Sequence, residues 1–154
     1  MVTTGYLYRL RTERNVIMKI VLDKGAFVPE RAHPMDAGLD FKAPDDVKVP
    51  AHGSVAINTG VHIDIPHGCY GKIESKSGLN VNHGIVSMGG TIDEGYTGSI
   101  VVKLYNMTDT PYQFRMGDKI AQLVISPCIV PDMVVVDELP VTPRGNNGFG
   151  STGR

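Results

Sequence analysis

The chain has 154 residues, with 15 Lys and Arg against 16 Asp and Glu and a formal net charge of −1. This length suits one domain that buries its own core. The balanced charge argues against nucleic-acid or membrane partners, and no apolar run is long enough to span a bilayer. Cys69 and Cys128 lack metal-ligand spacing, so we expect a reducing, cytoplasmic location.

Residues 1–17 are expected to form an extension outside the folded domain. They carry three arginines against one glutamate and show no clear amphipathic period. The run Met18–Leu22 is the first with the composition of a strand. We therefore expect residues 1–17 to be either disordered or upstream of the working start, and residues 18–143 to form a single β domain.

Short runs rich in Val and Ile alternate with 18 glycines and ten prolines, a pattern that predicts an all-β fold. Val61–Ile65 alternates strictly, whereas Ile100–Tyr105 is predicted to be a more fully buried strand. No helical period persists over ten residues, and the best helix candidate is one or two turns around Ser77–Asn82. A sandwich or jelly roll is the expected architecture. Further strands are predicted within residues 54–58, 112–114, 120–125 and 133–136.

The segment Gly89–Gly98 places the carboxylate of Asp93 and the aromatic ring of Tyr96 between glycines. We predict a β-hairpin here, because glycine permits tight bends and close approach of a ligand to the backbone. A surface hairpin with a solvated Asp and a half-buried Tyr fits the same residues equally well.

Two further segments have the composition of a phosphate site. Lys76-Ser77-Gly78 offers a cation, a hydroxyl and a permissive backbone, although ordinary turn chemistry explains the same residues. The glycine-rich residues 144–154 cannot bury enough surface to remain ordered alone and are predicted to be a flexible arm. Phe149 in this arm is well placed to stack on a planar ligand.

Carboxylates at Asp36, Asp40 and Asp93 supply the hard oxygen atoms that suit Mg²⁺. Neither an HExxH motif nor a Cys/His cluster is present, so zinc is not expected. The five scattered histidines pair with no nucleophile and are expected to be surface or structural residues.

Taken in order, these segments resemble the five sequence motifs of the trimeric deoxyuridine triphosphate nucleotidohydrolases, the dUTPases. Five motifs in sequence are far more specific than any one of them. The matching segments are residues 31–40, 66–79, 89–106, 117–123 and 144–153.

The resemblance implies a homotrimer of jelly-roll-like (β-clip) subunits with shared active sites. Its implied reaction is hydrolysis of dUTP to dUMP and pyrophosphate, which removes dUTP and supplies dUMP for dTMP synthesis. Asp93 would activate the water that attacks the α-phosphorus. Mg²⁺ would be the cofactor, held mainly by the substrate phosphates, with Asp40 and Gln122 acting on it only through water.

The resemblance also implies a set of substrate contacts. Tyr96 would lie beneath the deoxyribose and exclude a 2′-hydroxyl. The phosphate contacts would come from Lys76, Ser77, Gly78 and Gln122, the base contacts from Ser87, Thr91, Ile92 and Val101, and a closing arm from Arg144, Phe149, Gly150 and Ser151.

The second motif departs from the family's usual pattern. Lys76 stands where arginine is common, and it follows Glu74-Ser75 where Ala-Pro is frequent. Lysine keeps the charge but loses the planar fork of arginine. Two alternatives remain open at this stage, a dCTP deaminase-like enzyme and a non-catalytic nucleotide-sensing module of the same fold.

Overall fold

The computed structural model describes residues 17–88 and 90–148. This part of the chain contains eleven strands and one helix. In chain order they are β1 (Lys19–Leu22), β2 (Gly38–Lys42), β3 (Val47–Val49), β4 (Ser54–Asn58), β5 (Val61–Asp64), β6 (Cys69–Glu74), α1 (Ser77–His83), β7 (Ile85–Ser87), β8 (Thr91–Ile92), β9 (Val101–Asn106), β10 (Tyr112–Phe114) and β11 (Lys119–Pro127).

The strands form four small antiparallel sheets. Two are strand pairs, β1 with β5 and β3 with β10. A third has the order β4-β9-β7, and the largest has the order β2-β11-β6-β8. The long strand β11 pairs on one side with β2 and on the other with β6. The prediction of an all-β, jelly-roll-like fold is confirmed.

The core lies between these sheets and is built from alternate positions of the strands. In β5 and the residue after it, Val61, Ile63 and Ile65 are at most 2% exposed, whereas His62 and Asp64 face outward. Because successive strand residues point to opposite faces, the alternating sequence directly produces one apolar face. Fully burying a side chain such as Ile63 contributes about 1.5–3 kcal/mol. Other large buried side chains are Phe41, Phe114, Ile85, Ile100, Leu104, Ile120 and Leu123.

The helix α1 confirms the predicted one or two turns after Lys76. It ends at Gly84, which has a φ of +62° and donates its N–H to the carbonyl of Asn80 at 3.0 Å. Glycine suits this left-handed cap because it has no Cβ to clash. No helix in the described part of the chain is long and apolar enough to cross a membrane.

The prediction that Ile100–Tyr105 is a more fully buried strand than Val61–Ile65 is wrong. Strand β9 alternates instead, with Val102 and Leu104 buried and Val101 50% exposed. The reason is that β9 lies between β4 and β7 in a sheet with only one face on the core. Its near-continuous apolar sequence therefore leaves Val101 on the outer face.

The predicted hairpin in Gly89–Gly98 is also wrong in its pairing. A turn is present, but β8 pairs with β6, and β9 pairs with β4 and β7. The two flanking strands thus belong to different sheets. Sequence composition identified the turn, whereas the partners of its flanking strands depend on contacts made far along the chain.

No strand forms at residues 133–136, contrary to the prediction. This stretch belongs to residues 129–141, which have no regular secondary structure and pair with no strand among the described residues. We call this run the exposed apolar segment. Its large apolar side chains are between 57% and 101% exposed, namely Ile129, Val130, Met133, Val134, Val135, Val136, Leu139 and Val141.

Candidate active site

A row of polar side chains crosses the largest sheet. The strand register sets Asp40 of β2 opposite Gln122 of β11, and Gln122 opposite Glu74 of β6. Directly opposed residues project from the same face of a sheet, so the three side chains are neighbours. They line a cavity of about 430 Å³ together with Ala32, Asp36, Ala37, Gly38, Ser75, Lys76 and Val124.

Asp40 is a buried carboxylate between two lysines. It is 3% exposed, accepts a hydrogen bond from Lys76 on Oδ1, and has Lys119 Nζ 2.6 Å from Oδ2. Burial alone disfavours the charged form, but the close contacts with Lys119 and Lys76 outweigh it and hold the pKa of Asp40 below its usual value. The site therefore has an ionised carboxylate at neutral pH, with two ammonium groups fixed around it.

These residues do not form a protein cage for a metal ion. Each carboxylate oxygen of Asp40 already faces a lysine. Within residues 17–88 and 90–148, no group of three or more His, Cys, Asp or Glu side chains is arranged to hold an ion. The carboxylate and amide oxygens of Asp40 and Gln122 are of the hard type that suits Mg²⁺, which usually keeps several waters and shares its coordination with a ligand's phosphates.

Gln122 is fixed between two strands. Its Nε2 donates to the carbonyl of Ser75 at 3.1 Å. On the other side it packs against Gly38, where an added Cβ would lie 2.1 Å from Gln122 Oε1. Position 38 must therefore be glycine for the Gln122 amide to occupy its place in the cavity.

We expect Gly38→Ala to destabilise the protein by about 1–3 kcal/mol, because the new methyl group must displace the Gln122 side chain. Urea denaturation measures the free energy of unfolding. Gly78→Ala is the matched control, since no heavy atom lies within 4 Å of its added Cβ and alanine favours the first turn of α1. Equal stability of the Gly38 variant and the wild type would contradict this packing.

Asp93 begins a tight turn. The N–H of Tyr96 donates to the carbonyl of Asp93 at 3.2 Å, and Gly95 at the third position has a φ of +86°. This geometry is that of a type II turn, which favours glycine at that position. The Asp93 side chain is exposed.

Two contacts fix this turn to the rest of the fold. Glu94 accepts hydrogen bonds from the backbone N–H of Gly68 at 2.9 Å and from His67 Nδ1 at 2.7 Å. The bond from His67, followed by the Gly68 amide, lowers the pKa of Glu94. Beyond the turn, His62 Nδ1 donates to the carbonyl of Thr97 at 2.8 Å. The exposed carboxylate of Asp93 is thus carried on a restrained backbone.

Tyr96 folds back over the chain that follows it. Its hydroxyl donates to the carbonyl of Ser99 at 3.2 Å, and an added Cβ at Gly98 would lie 2.4 Å from that hydroxyl oxygen. Gly98 therefore permits the ring to lie close to the backbone. The residue remains 46% exposed, so part of the ring is free to contact a ligand.

The contact between His62 and Thr97 predicts a pH-dependent stability. Hydrogen bonding to the Thr97 carbonyl, and then to Asp23, raises the pKa of His62. A raised pKa in the folded state means that this stabilisation is complete below the unfolded value, near 6.5, and is lost as pH rises through the folded value. We therefore expect His62→Gln to lower Tm more at pH 6 than at pH 9.

Thermal unfolding of the wild type and the His62 variant across this range measures the difference. Asp23→Asn serves as the companion variant, because it removes a carboxylate whose Oδ1 lies 3.3 Å from His62 Nε2. It should reduce the pH dependence without abolishing it. A Tm difference that stays constant from pH 6 to pH 9 would rule out the titration of His62 as its source.

The structure brings together Asp40, Lys76 and Gln122 in one cavity. Ser77 and Gly78 follow directly as the exposed first residues of α1. Of the predicted phosphate-binding residues, Lys76 and Gln122 therefore share the cavity, and Ser77 and Gly78 adjoin Lys76 in the chain.

Other predicted residues lie elsewhere. Asp93, Tyr96 and Val101 do not line this cavity. Thr91 is exposed, whereas Ile92 is only 8% exposed and contributes its side chain to the core. A base contact at Ile92 must therefore use its backbone.

The predicted arm is described only in part. Arg144 is exposed, and its Nε donates to the carbonyl of Asn147 at 3.1 Å. Phe149, Gly150 and Ser151 lie outside the described residues.

Sequence reasoning did not assign roles to Ser75, Glu94 and Lys119. Glu94 adjoins Asp93, and Lys119 lies three residues before Gln122. Their positions near assigned residues could therefore have marked both as candidates. Ser75 had a different signal, because it stands where the family frequently has proline. Only the structure shows what their side chains contact.

The fold and site define a class of protein. It is an all-β protein with a lysine-bearing polar cavity over strands β2, β11 and β6 and an exposed carboxylate held on a separate restrained turn. The cavity is lined by three carboxylates, Asp36, Asp40 and Glu74, and by one lysine, Lys76, which pairs with Asp40.

Comparison with known proteins narrows the class. The family model described as dUTPase matches residues 24–153. The deoxyuridine 5′-triphosphate nucleotidohydrolase of Paramecium bursaria Chlorella virus 1 is 43% identical over 138 residues, which cover 90% of this chain and 96% of the relative. The enzyme of the same name from Arabidopsis thaliana is 43% identical over 86% of this chain and 80% of its own. This chain belongs to the dUTPase family.

Solved structures agree with this assignment. The dUTPase of Staphylococcus bacteriophage 80alpha with dUPNHPP has a TM-score of 0.83 and 30% sequence identity, covering 90% of this chain and 99% of its own. A variant dUTPase of the S. aureus phage phi11, whose structure describes the coordination of a structural Mg(II) ion, has a TM-score of 0.73 and 29% identity over 80% of this chain and 98% of its own.

Proposed function

We propose that this protein hydrolyses dUTP to dUMP and pyrophosphate. The observation that carries the proposal is the Asp93–Tyr96 turn, which presents an exposed carboxylate on a fixed backbone inside the region matched by the dUTPase family. The nucleotidohydrolase names of the curated relatives and the nucleotide analogue bound to the phage enzyme support the same substrate.

Asp93 is proposed to accept a proton from the attacking water as it adds to the α-phosphorus. A carboxylate can accept a proton as the nucleophile forms, and the exposed side chain of Asp93 is open to a water molecule. Its position depends on Glu94, whose carboxylate is bonded to the loop at Gly68. A restrained base keeps the water in line with the phosphorus, which reduces the entropy cost of reaching the transition state.

The cavity at the β2–β11–β6 row is proposed to take the phosphate chain. Lys76 would neutralise phosphate charge as a point cation, and Ser77 and Gly78 would donate hydrogen bonds to phosphate oxygens. When bound, Mg²⁺ would neutralise charge on the departing pyrophosphate. Asp40 and Gln122 would hold its water ligands.

The nucleoside is proposed to lie against the turn and the strands beside it. The free part of the Tyr96 ring would pack beneath the deoxyribose and leave no room for a 2′-hydroxyl. The uracil would be read by backbone groups near Ser87, Thr91 and Ile92, with Val101 lining the pocket. The partly exposed side chain of Val101 and the buried side chain of Ile92 suit these two different roles.

The active unit is proposed to be a homotrimer with shared sites. Within one chain, Asp93 and Tyr96 do not line the cavity that contains Lys76 and Gln122, and a site that another subunit completes would bring the two groups together. The exposed apolar segment supports assembly, because large exposed apolar surfaces commonly mark interfaces. The arm, residues 144–154, is proposed to close over the bound nucleotide with Arg144 on the γ-phosphate and Phe149 on the base, assisted by Gly150 and Ser151.

A cytoplasmic location is proposed on the basis of the cysteines. Cys69 and Cys128 are both free and only partly buried. Free thiols of this kind persist in a reducing compartment.

A pyrophosphate-release assay with dUTP, UTP, dTTP and dCTP, with and without Mg²⁺, tests the proposed function. We expect selective, Mg²⁺-dependent turnover of dUTP. Release of ammonia from dCTP would identify a deaminase instead. Binding of dUTP without product would identify a non-catalytic nucleotide sensor.

A further inference from the structure

The hydroxyl group of Ser75 forms hydrogen bonds with the backbone N–H and carbonyl of Ser87, the last residue of β7. β7 is the outer strand of the β4-β9-β7 sheet, so one of its edges has no strand neighbour in that sheet. At Ser87 the backbone N–H donates to Ser75 Oγ at 2.9 Å, and the backbone carbonyl accepts from the same hydroxyl at 3.2 Å. Ser75 thus supplies both partners that a neighbouring strand would provide.

The backbone of Ser75 is in turn held by Gln122. Its carbonyl accepts the hydrogen bond from Gln122 Nε2, and it lies between the end of β6 and Lys76 at the start of α1. Both serines are partly buried. The Ser75 hydroxyl therefore connects the end of β7 to the cavity that contains Lys76 and Gln122.

A second contact holds the chain just beyond β7. The backbone N–H of Ile73 in β6 donates to the carbonyl of Gly90 at 2.9 Å. An added Cβ at Gly90 would lie 3.1 Å from the Ile73 side chain, so the two backbones are in close contact. Ile73 and Ser75, two residues apart, thus hold the chain at Gly90 and Ser87, on either side of the connection from β7 to β8.

We propose that Ser75 is a positioning residue for base selection, whose hydroxyl fixes the Ser87 backbone and with it the segment that reads the uracil. This inference rests on the proposed function, in which backbone groups near Ser87, Thr91 and Ile92 contact the base. A peptide group that can rotate offers either its N–H or its carbonyl to a ligand. Discrimination of uracil from cytosine therefore requires that the peptide be held in one orientation.

The hydrogen bonds between the Ser75 hydroxyl and the Ser87 backbone are a feature of this chain and not of the family's usual second motif. Proline is frequent at the position of Ser75 in the second motif, and proline has no hydroxyl to bond Ser87. A chain with serine here fixes the Ser87 backbone through a side chain that a single substitution removes.

The test compares Ser75→Ala with the conservative Ser75→Thr, which retains the hydroxyl. The measured quantity is the inhibition constant for dCTP divided by KM for dUTP. We expect this ratio to fall about tenfold in the alanine variant, the size of one ordinary hydrogen bond, and to recover in the threonine variant. Ser54→Ala is the matched control, because Ser54 is an exposed serine on β4, in the same sheet as β7.

Amide hydrogen exchange at Ser87 gives a readout that does not depend on catalysis. We expect the Ser87 amide to exchange faster in Ser75→Ala than in the wild type and in Ser54→Ala. An unchanged ratio, or an equally protected Ser87 amide, would overturn the inference. If the wild type releases no pyrophosphate from dUTP, the proposed function fails, while amide exchange still decides whether Ser75 fixes Ser87.

Discussion

Asp93→Asn is expected to lower kcat for dUTP by about 10²–10⁴-fold, the range that a positioned general base contributes. The carboxamide has nearly the same shape as the carboxylate, so the turn between Asp93 and Tyr96 should persist. It cannot accept the proton of the attacking water at neutral pH. Binding of dUTP should therefore change much less than turnover.

Single-turnover pyrophosphate release measures the chemical step, and calorimetric titration with a non-hydrolysable dUTP analogue measures binding. Asp109→Asn is the matched control, because this aspartate has a side chain that is 97% exposed and contacts His52 away from the proposed site. Full turnover by the Asp93 variant would refute the assignment of the base. A parallel loss of binding and turnover would indicate that Asp93 acts mainly in holding the substrate.

Deletion of Arg144–Arg154 is expected to lower kcat by about 100-fold, comparable to the effect of misplacing reacting groups by a small distance. The proposed arm would exclude water and contact the γ-phosphate and the base. In the described part of the chain every core residue lies before residue 144, so loss of the arm should affect turnover more than folding. Each buried strand lies before residue 144, and the truncated protein should therefore fold. Light scattering should show that it still forms trimers.

Two substitutions of Phe149 separate the contribution of ring stacking to kcat from that of closure of the arm. Phe149→Trp retains a planar ring and should preserve most of the activity, whereas Phe149→Ala should reproduce much of the loss seen on truncation. Unchanged turnover by the truncated trimer would exclude a catalytic role for the arm. Loss of the trimer on truncation would instead assign residues 144–154 to assembly.

The sequence predicted those features that depend on local pattern. Alternation in Val61–Ile65 identified β5 and its buried face, and the composition around Ser77 identified α1. The turn at Asp93–Tyr96 was also predicted, because glycine and acidic residues have strong local conformational preferences. In each case the residues concerned are neighbours along the chain.

The features that could not be predicted depend on pairing between distant segments. Nothing in the sequence near Asp40 indicates that it lies opposite Gln122, or that Lys119 contacts its carboxylate. The partners of β8 and β9 were missed for the same reason. Register in a sheet is set by which strands meet, and this depends on the whole chain.

Site residues show the same division. Motif order brought Lys76, Gln122 and Asp40 into one hypothesis, and the structure places them in one cavity. The two hydrogen bonds between the Ser75 hydroxyl and the Ser87 backbone could not be predicted from the motif, since serine here replaces a residue without a hydroxyl. A departure from a family pattern marked the position, but only coordinates identify its partner.

The exposed apolar segment also bears on how this protein behaves on dilution. A surface of this composition is unfavourable in water, so covering it in an assembly stabilises the folded chain. In the proposed trimer, folding and association would share one equilibrium, and the melting temperature would depend on protein concentration. A separated subunit would lose part of the proposed shared site and part of the free energy that stabilises its fold. The specific activity of the protein would therefore fall as its concentration falls.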